Sequence, residues 1–182
     1  MDDLSLYLLD IVQNSLKAEA DTLSISIEED TGLNRLTMII ADNGSGMNEA
    51  VLAQVLSPFF TTRTTRSVGL GLSFLKMAAN LADGDLTIES KVDQGTKVTA
   101  WFTLDHINTP PLGNLAETIY TIIIHPQLKD LKYVHIYDHQ NFIFDLGAIT
   151  TILDGVPLTD YQVMKYLKSY INDNVDYLRR KL

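Results

Sequence analysis

Leu36-Thr37-Met38-Ile39-Ile40-Ala41-Asp42-Asn43-Gly44-Ser45-Gly46-Met47 carries an apolar run directly into a polar, glycine-rich turn. An apolar run of this length, bounded by turn residues, reads as a central strand from Leu36 to Ala41. The segment from Asp42 to Gly46 admits two readings. Asp, Asn and Gly are common turn residues, so it can be a strand-ending turn. It can also form a ligand loop, with Asp42 as a hydrogen-bond acceptor and the glycines letting backbone approach a ligand with no Cβ in the way.

Outward from this stretch, Leu23 to Glu28 alternates apolar and polar residues, as a half-buried strand does. Before it, Leu4, Leu8, Ile11, Val12, Ser15 and Leu16 keep the helical period over residues 3–19. Asp10, Asn14 and Lys17 form a second, polar stripe on the same helix. On the other side, Asn48 can cap a short helix through Leu56. A Thr-, Arg- and Ser-rich loop spans 57–68, and an apolar helix runs from about Leu70 to Ala82. Strands Leu86 to Lys91 and Lys97 to Leu104 close the unit around a turn at Asp93-Gln94-Gly95. This order predicts a two-layer α/β (α+β) sandwich with one mixed sheet and helices on one face.

Pro110-Pro111-Leu112-Gly113 breaks the chain, which sets domain ranges of 1–105 and 106–182. The second range reads as a small C-terminal α/β extension. It holds a helix from Leu115 to Ile124, a hairpin of Tyr133 to Tyr137 and Phe142 to Leu146, and a closing helix from Thr159 or Asp160 to about Leu178.

Composition narrows the function. Of 182 residues, 46% are hydrophobic and 20% charged, a globular balance, and no run is long and apolar enough to span a bilayer. With no basic and apolar leader, a cytoplasmic protein with no membrane partner is expected. Cysteine is absent, which excludes disulfides, thiolate catalysis and cysteine–zinc sites. The net charge is −9, and residues 1–105 carry seven Lys or Arg against fifteen Asp or Glu. Such a chain repels the phosphate backbone, so nucleic acid is not expected as a partner.

An acidic domain that binds phosphate must concentrate its few cations. Arg63 and Arg66 precede Val68-Gly69-Leu70-Gly71-Leu72, where a helix begins. Backbone N–H groups at a helix start, opened by glycines, suit an anion. On the first helix, the Asn14 carbonyl is a hard oxygen suited to Mg²⁺. Asp10, one turn earlier, can order or deprotonate a water, and Lys17, one turn later, can meet a phosphate.

Leu8 to Ala18 resembles the N box of the GHKL (Bergerat-fold) ATPases, the superfamily of gyrase, mismatch-repair ATPases, heat-shock chaperones and sensor histidine kinases. Asp42-x-Gly44-x-Gly46 is similar to its first glycine box, and Ser57-Pro58-Phe59-Phe60-Thr61-Thr62 to the F box of histidine kinases. Gly69-Leu70-Gly71-Leu72 matches the second glycine box, and Gln94-Gly95-Thr96-Lys97-Val98 the closing Gly-Thr. The resemblance covers residues 4–104 and implies an ATP site with Mg²⁺. It assigns Mg²⁺ coordination to Asn14 and the adenine amino group to Asp42, with Thr96 helping through water. Gly44, Gly46, Gly69 and Gly71 shape the loops, residues 59–68 form a lid, and Met47, Phe60, Leu70 and Leu72 complete the nucleotide site. Lys17 and the F box lean toward the kinase branch.

Hydrolysing members place Glu where this chain has Asp10, and kinases have Gly where it has Ser67. Only Met1 to Asp3 precede the first helix, so no upstream phosphoacceptor helix is expected. His106 has Pro and Leu at the spacing of an acceptor motif but lacks the adjoining Glu, and prolines oppose a helix there. The expected function is therefore a Mg-ATP-binding, histidine-kinase-like module that phosphorylates a protein partner in trans, as anti-sigma-factor kinases do. An ATP-hydrolysing conformational switch and a non-catalytic nucleotide-binding regulatory module are the alternatives. A homodimer is compatible with each.

Overall fold

The computed structural model describes residues 3–56 and 71–180. Helix α1 spans Leu4–Lys17, β1 Thr22–Asp30, β2 Arg35–Asp42, α2 Glu49–Leu52 and α3 Gly71–Leu81. Then come β3 Asp85–Lys91, β4 Gly95–Thr103, α4 Leu115–Ile123, β5 Asp130–Tyr137, β6 Gln140–Asp145, α5 Leu146–Leu153 and α6 Tyr161–Arg180. The elements keep the order expected from the sequence, with α5 added. Its apolar, β-branched sequence Leu146-Gly147-Ala148-Ile149-Thr150-Thr151-Ile152-Leu153 carries no helical period, and only Leu146 is buried. Asp145 starts the helix by accepting the Ala148 N–H at 2.9 Å.

One six-stranded sheet runs β3-β4-β2-β1-β5-β6. Its neighbours are antiparallel except for β1 and β5, which are parallel. Register places like with like on the covered face. Ile25 lies opposite both Ile40 and Tyr133, Met38 opposite Ala100, and Leu36 opposite Phe102. These side chains are buried, and they form one apolar core with α1, α3, α4 and α6. The architecture is a mixed-sheet, two-layer α/β fold.

The division at residue 105 separates chain segments but not layers, because β5 and β6 continue the same sheet. Tyr133, Phe142 and Phe144 of the hairpin are core residues, 0%, 7% and 1% exposed. Phe142 meets Tyr133 and Tyr170 edge-on, at ring distances of 6.3 and 5.4 Å. Tyr166 stacks on Tyr170 at 5.9 Å but stays on the surface.

A charged network lies within this second half of the core. Glu29 of β1 accepts from His135 Nε2 at 3.0 Å and from Arg179 of α6 at 2.7 Å. The other imidazole nitrogen, Nδ1, faces the Tyr133 hydroxyl at 2.8 Å. Burial pushes the Glu29 carboxyl up, but the hydrogen bonds from His135 and Arg179 outweigh it and leave the carboxyl below its ordinary range. Burial and the nearby Glu29 charge push the Tyr133 hydroxyl up.

Candidate nucleotide site

The site lies at the end of β2, where α1, the loop after β2 and the β3–β4 turn converge. The α1 stripe of Leu8, Ile11, Val12 and Leu16 is buried. That anchoring leaves Asp10 and Asn14 half-buried along the helix edge and Lys17 exposed. Among the described residues, the Asp10 and Asn14 side chains make no hydrogen bond or ion pair.

Asp42 is held on three sides. Its Oδ1 accepts the Gly44 N–H at 2.9 Å and the Thr96 N–H at 3.1 Å. Its Oδ2 accepts the Ser15 hydroxyl at 2.5 Å. An ionised carboxylate offers about four acceptor positions, so about one is left, on a half-buried group. In the sequence, Ser15 reads as one more member of the buried face of α1, which conceals this contact. A hydroxyl within an otherwise apolar stripe is the one signal that could have found it.

The loop beyond Asp42 is fixed by small groups. Asn43 Oδ1 accepts the N–H groups of Asp21 and Thr22, each at 3.0 Å, and its Nδ2 donates to Asp21 Oδ1 at 2.8 Å. Gly44 packs on the Ala18 carbonyl, which accepts the Ser45 N–H at 2.8 Å. Gly46 has φ +63°, and any Cβ there would overlap the Lys91 carbonyl. The Met47 N–H donates to Ser90 Oγ at 2.9 Å. Ser90 in turn donates to the Gly95 carbonyl at 3.0 Å, which makes the Thr96 hydroxyl, 2.8 Å away, the donor to Ser90. The sequence gives no sign of Ser90, since an alternating strand position carries no hint of such a bridge.

Helix α3 begins against α1. Gly71 touches the Asp10 carboxylate so closely that a Cβ would overlap it, and Leu72 is buried beside it. Of the expected site residues, the structure brings together Asp10, Asn14, Asp42, Gly44, Gly46, Met47, Gly71, Leu72 and Thr96, while Lys17 lies exposed in the last turn of α1. Phe60, Arg63, Arg66, Gly69 and Leu70, with the F box and the lid, lie outside the described residues. At the rim, hydrogen bonds from Lys129, Asn43 and Thr22 hold the Asp21 carboxyl down at about 2. No cluster of three or more His, Asp or Glu able to hold a metal occurs among the described residues.

The family described as histidine kinase-, DNA gyrase B-, and HSP90-like ATPase matches residues 1–106. The chain belongs to this ATPase family. Among curated proteins it is similar to the tetrathionate sensor histidine kinase TtrS of Salmonella typhimurium, 33% identical over 54% of this chain and 17% of that one. It is also similar to the sensor protein kinase FleS of Pseudomonas aeruginosa, 34% identical over 64% of this chain and 28% of that one. The chain thus spans less than a third of these relatives. Among solved structures, the N-terminal domain of a DNA repair protein superposes with a TM-score of 0.53 over 79% of this chain and 52% of that one. At 16% identity that likeness concerns the fold alone. The ATPase-family chain is a histidine-kinase-like ATP-binding module. Among its described residues, no helix is long and apolar enough to cross a membrane.

Proposed function

We propose that this module binds ATP with Mg²⁺ at the Asp42 site and transfers phosphate to a partner protein in trans. The observation that carries the reading is Asp42. Ser15, Gly44 and Thr96 orient its carboxylate and leave one acceptor direction open. That direction suits the exocyclic amino group of adenine, with a water from Thr96 beside it. It opposes guanine, whose corresponding atom is a carbonyl oxygen.

Asn14 fits a Mg²⁺ role, because its amide is a hard oxygen donor with no hydrogen-bond partner among the described residues. When bound, the ion supplies charge neutralisation to the triphosphate. Lys17 adds an exposed cation one turn away. Of the four histidines, His135 is buried and His106 and His139 lie at the sheet end opposite Asp42, whereas His125 is exposed between α4 and β5, at the Asp42 end. A cytoplasmic setting without nucleic-acid or membrane partners completes the reading.

Incubating the protein with γ-labelled ATP, Mg²⁺ and candidate partners tests it. Label on a partner, lost with Asn14→Ala, is expected. Label that never leaves ATP for any protein sinks the transfer reading. A second reading, an ATP-hydrolysing switch, draws on the Asp10 carboxylate at the start of α3. It requires steady phosphate release that Asp10→Asn removes while binding persists.

A further inference from the structure

Gln127 lies in the surface segment between α4 and β5, outside the residues matched by the ATPase family. Its single Nε2 donates to the Leu16 and Ala20 carbonyls, each at 2.7 Å. Leu16 belongs to the last turn of α1, and its carbonyl also accepts the Glu19 N–H at 3.1 Å, so Gln127 adds a second donor to the helix end. Ala20 lies on the way into β1. One side-chain amide therefore ties the end of α1 to the start of the sheet.

The surrounding bonds converge on the same junction. The N–H groups of Lys129 and Asp130 donate to the Asp21 carbonyl, at 2.8 and 3.2 Å, and Lys129 Nζ pairs with Asp21 Oδ2 at 2.6 Å. The other Asp21 carboxylate oxygen takes Asn43 of the nucleotide loop. At the opposite end of α1, the Leu4 and Ser5 N–H groups donate to the Pro111 and Leu112 carbonyls, at 2.9 and 3.0 Å. The chain beyond β4 thus holds both ends of the helix that carries Asp10, Asn14 and Ser15.

We propose that Gln127 is a positioning residue for the nucleotide site, fixing the last turn of α1 so that Ser15 meets Asp42 and Asn14 faces the phosphates. This rests on the nucleotide reading above. Gln127 touches no nucleotide itself. It acts by keeping the α1 end and the Asp42 loop in one register, since Ala18 meets Gly44 and Ser45 directly.

The test is calorimetric titration of the whole chain with Mg²⁺ and ADP. Gln127→Met keeps the bulk and removes the donors, and it should weaken binding about tenfold. Gln127→Lys restores donors to carbonyls at a helix C-terminus, and it should bind within about threefold of the unaltered protein. Lys168→Met, which breaks the Lys168–Glu117 pair between α6 and α4, should leave affinity unchanged. Thermal unfolding separates lost folding from lost affinity, and Gln127→Ala carries the same expectation should the Met variant not fold. Equal affinity of the donor-less variant and the unaltered protein would overturn the proposal alone. So would a Lys variant as weak as the Met variant. No binding by the unaltered protein would overturn the nucleotide reading and the proposal with it.

Discussion

Asp42 and Glu29 stand at opposite ends of the same pair of strands, since β1 and β2 run antiparallel with Leu23 opposite Asp42 and Glu29 opposite Leu36. Both carboxylates accept several hydrogen bonds, but from different donors. Glu29 is 2% exposed and is met by two ionisable side chains, His135 and Arg179. Asp42 is half-buried and is met by a hydroxyl and two backbone N–H groups. The first arrangement pairs a buried carboxylate with a cation, Arg179, and ties α6 to the sheet. The second aims a carboxylate without neutralising it, which leaves its charge for a ligand.

The contrast breaks if exchanging roles has no consequence. Glu29→Ala leaves His135 in the core, and Arg179 at its edge, without the carboxylate they meet. It should lower unfolding free energy by about 3–5 kcal/mol, read by urea denaturation, with nucleotide affinity of the folded fraction retained. Asp42→Asn should do the reverse. The amide can still face Gly44, Thr96 and Ser15, so stability should hold. ATP binding should weaken by about 1.5–3 kcal/mol, because a charge-assisted bond is lost.

Smaller effects sharpen the comparison. Gly46→Ala forces a side chain into a left-handed residue against the Lys91 carbonyl. It should cost about 1–3 kcal/mol of stability and loosen the Asp42 loop, which thermal unfolding and ATP titration measure together. The pH response should divide along the same line. The Glu29 carboxyl is held below its ordinary value of 4.5, so its contribution is complete above that value. It is lost as pH falls through the lower folded value, where the unfolded chain no longer binds extra protons. Urea midpoints should therefore drop below pH 4.5 in the unaltered protein and drop less in Glu29→Gln. An equal slope in both would remove Glu29 from the account.

Most of the site's framework is legible in the sequence because it is local. The stripe of Leu8, Ile11, Val12 and Leu16 identifies α1 and its polar edge, and the apolar run before Asp42 identifies β2. Asn48 and Asp145 illustrate the limit of local signals. Asn48 accepts the Val51 N–H and starts α2 as expected. The equivalent cap at Asp145 goes unread, because it precedes an apolar, β-branched stretch resembling a strand. The parallel pairing of β5 with β1 joins residues a hundred positions apart and leaves no pattern in either segment. For the same reason Ser15 looks like a core residue, and Gln127 like any surface amide. The hydroxyl on Asp42 and the amide on Leu16 exist only once α1, β2 and β5 are assembled.

Asp42 is, on this account, an aimed and unspent carboxylate that reads adenine. Parallel calorimetric titrations of the unaltered protein with ATP and with GTP, both with Mg²⁺, test it most directly. The account predicts ATP binding at least about tenfold tighter than GTP, from the loss of one charge-assisted hydrogen bond and a carbonyl placed against the carboxylate. Equal affinity for the two nucleotides would contradict it and move the base away from Asp42.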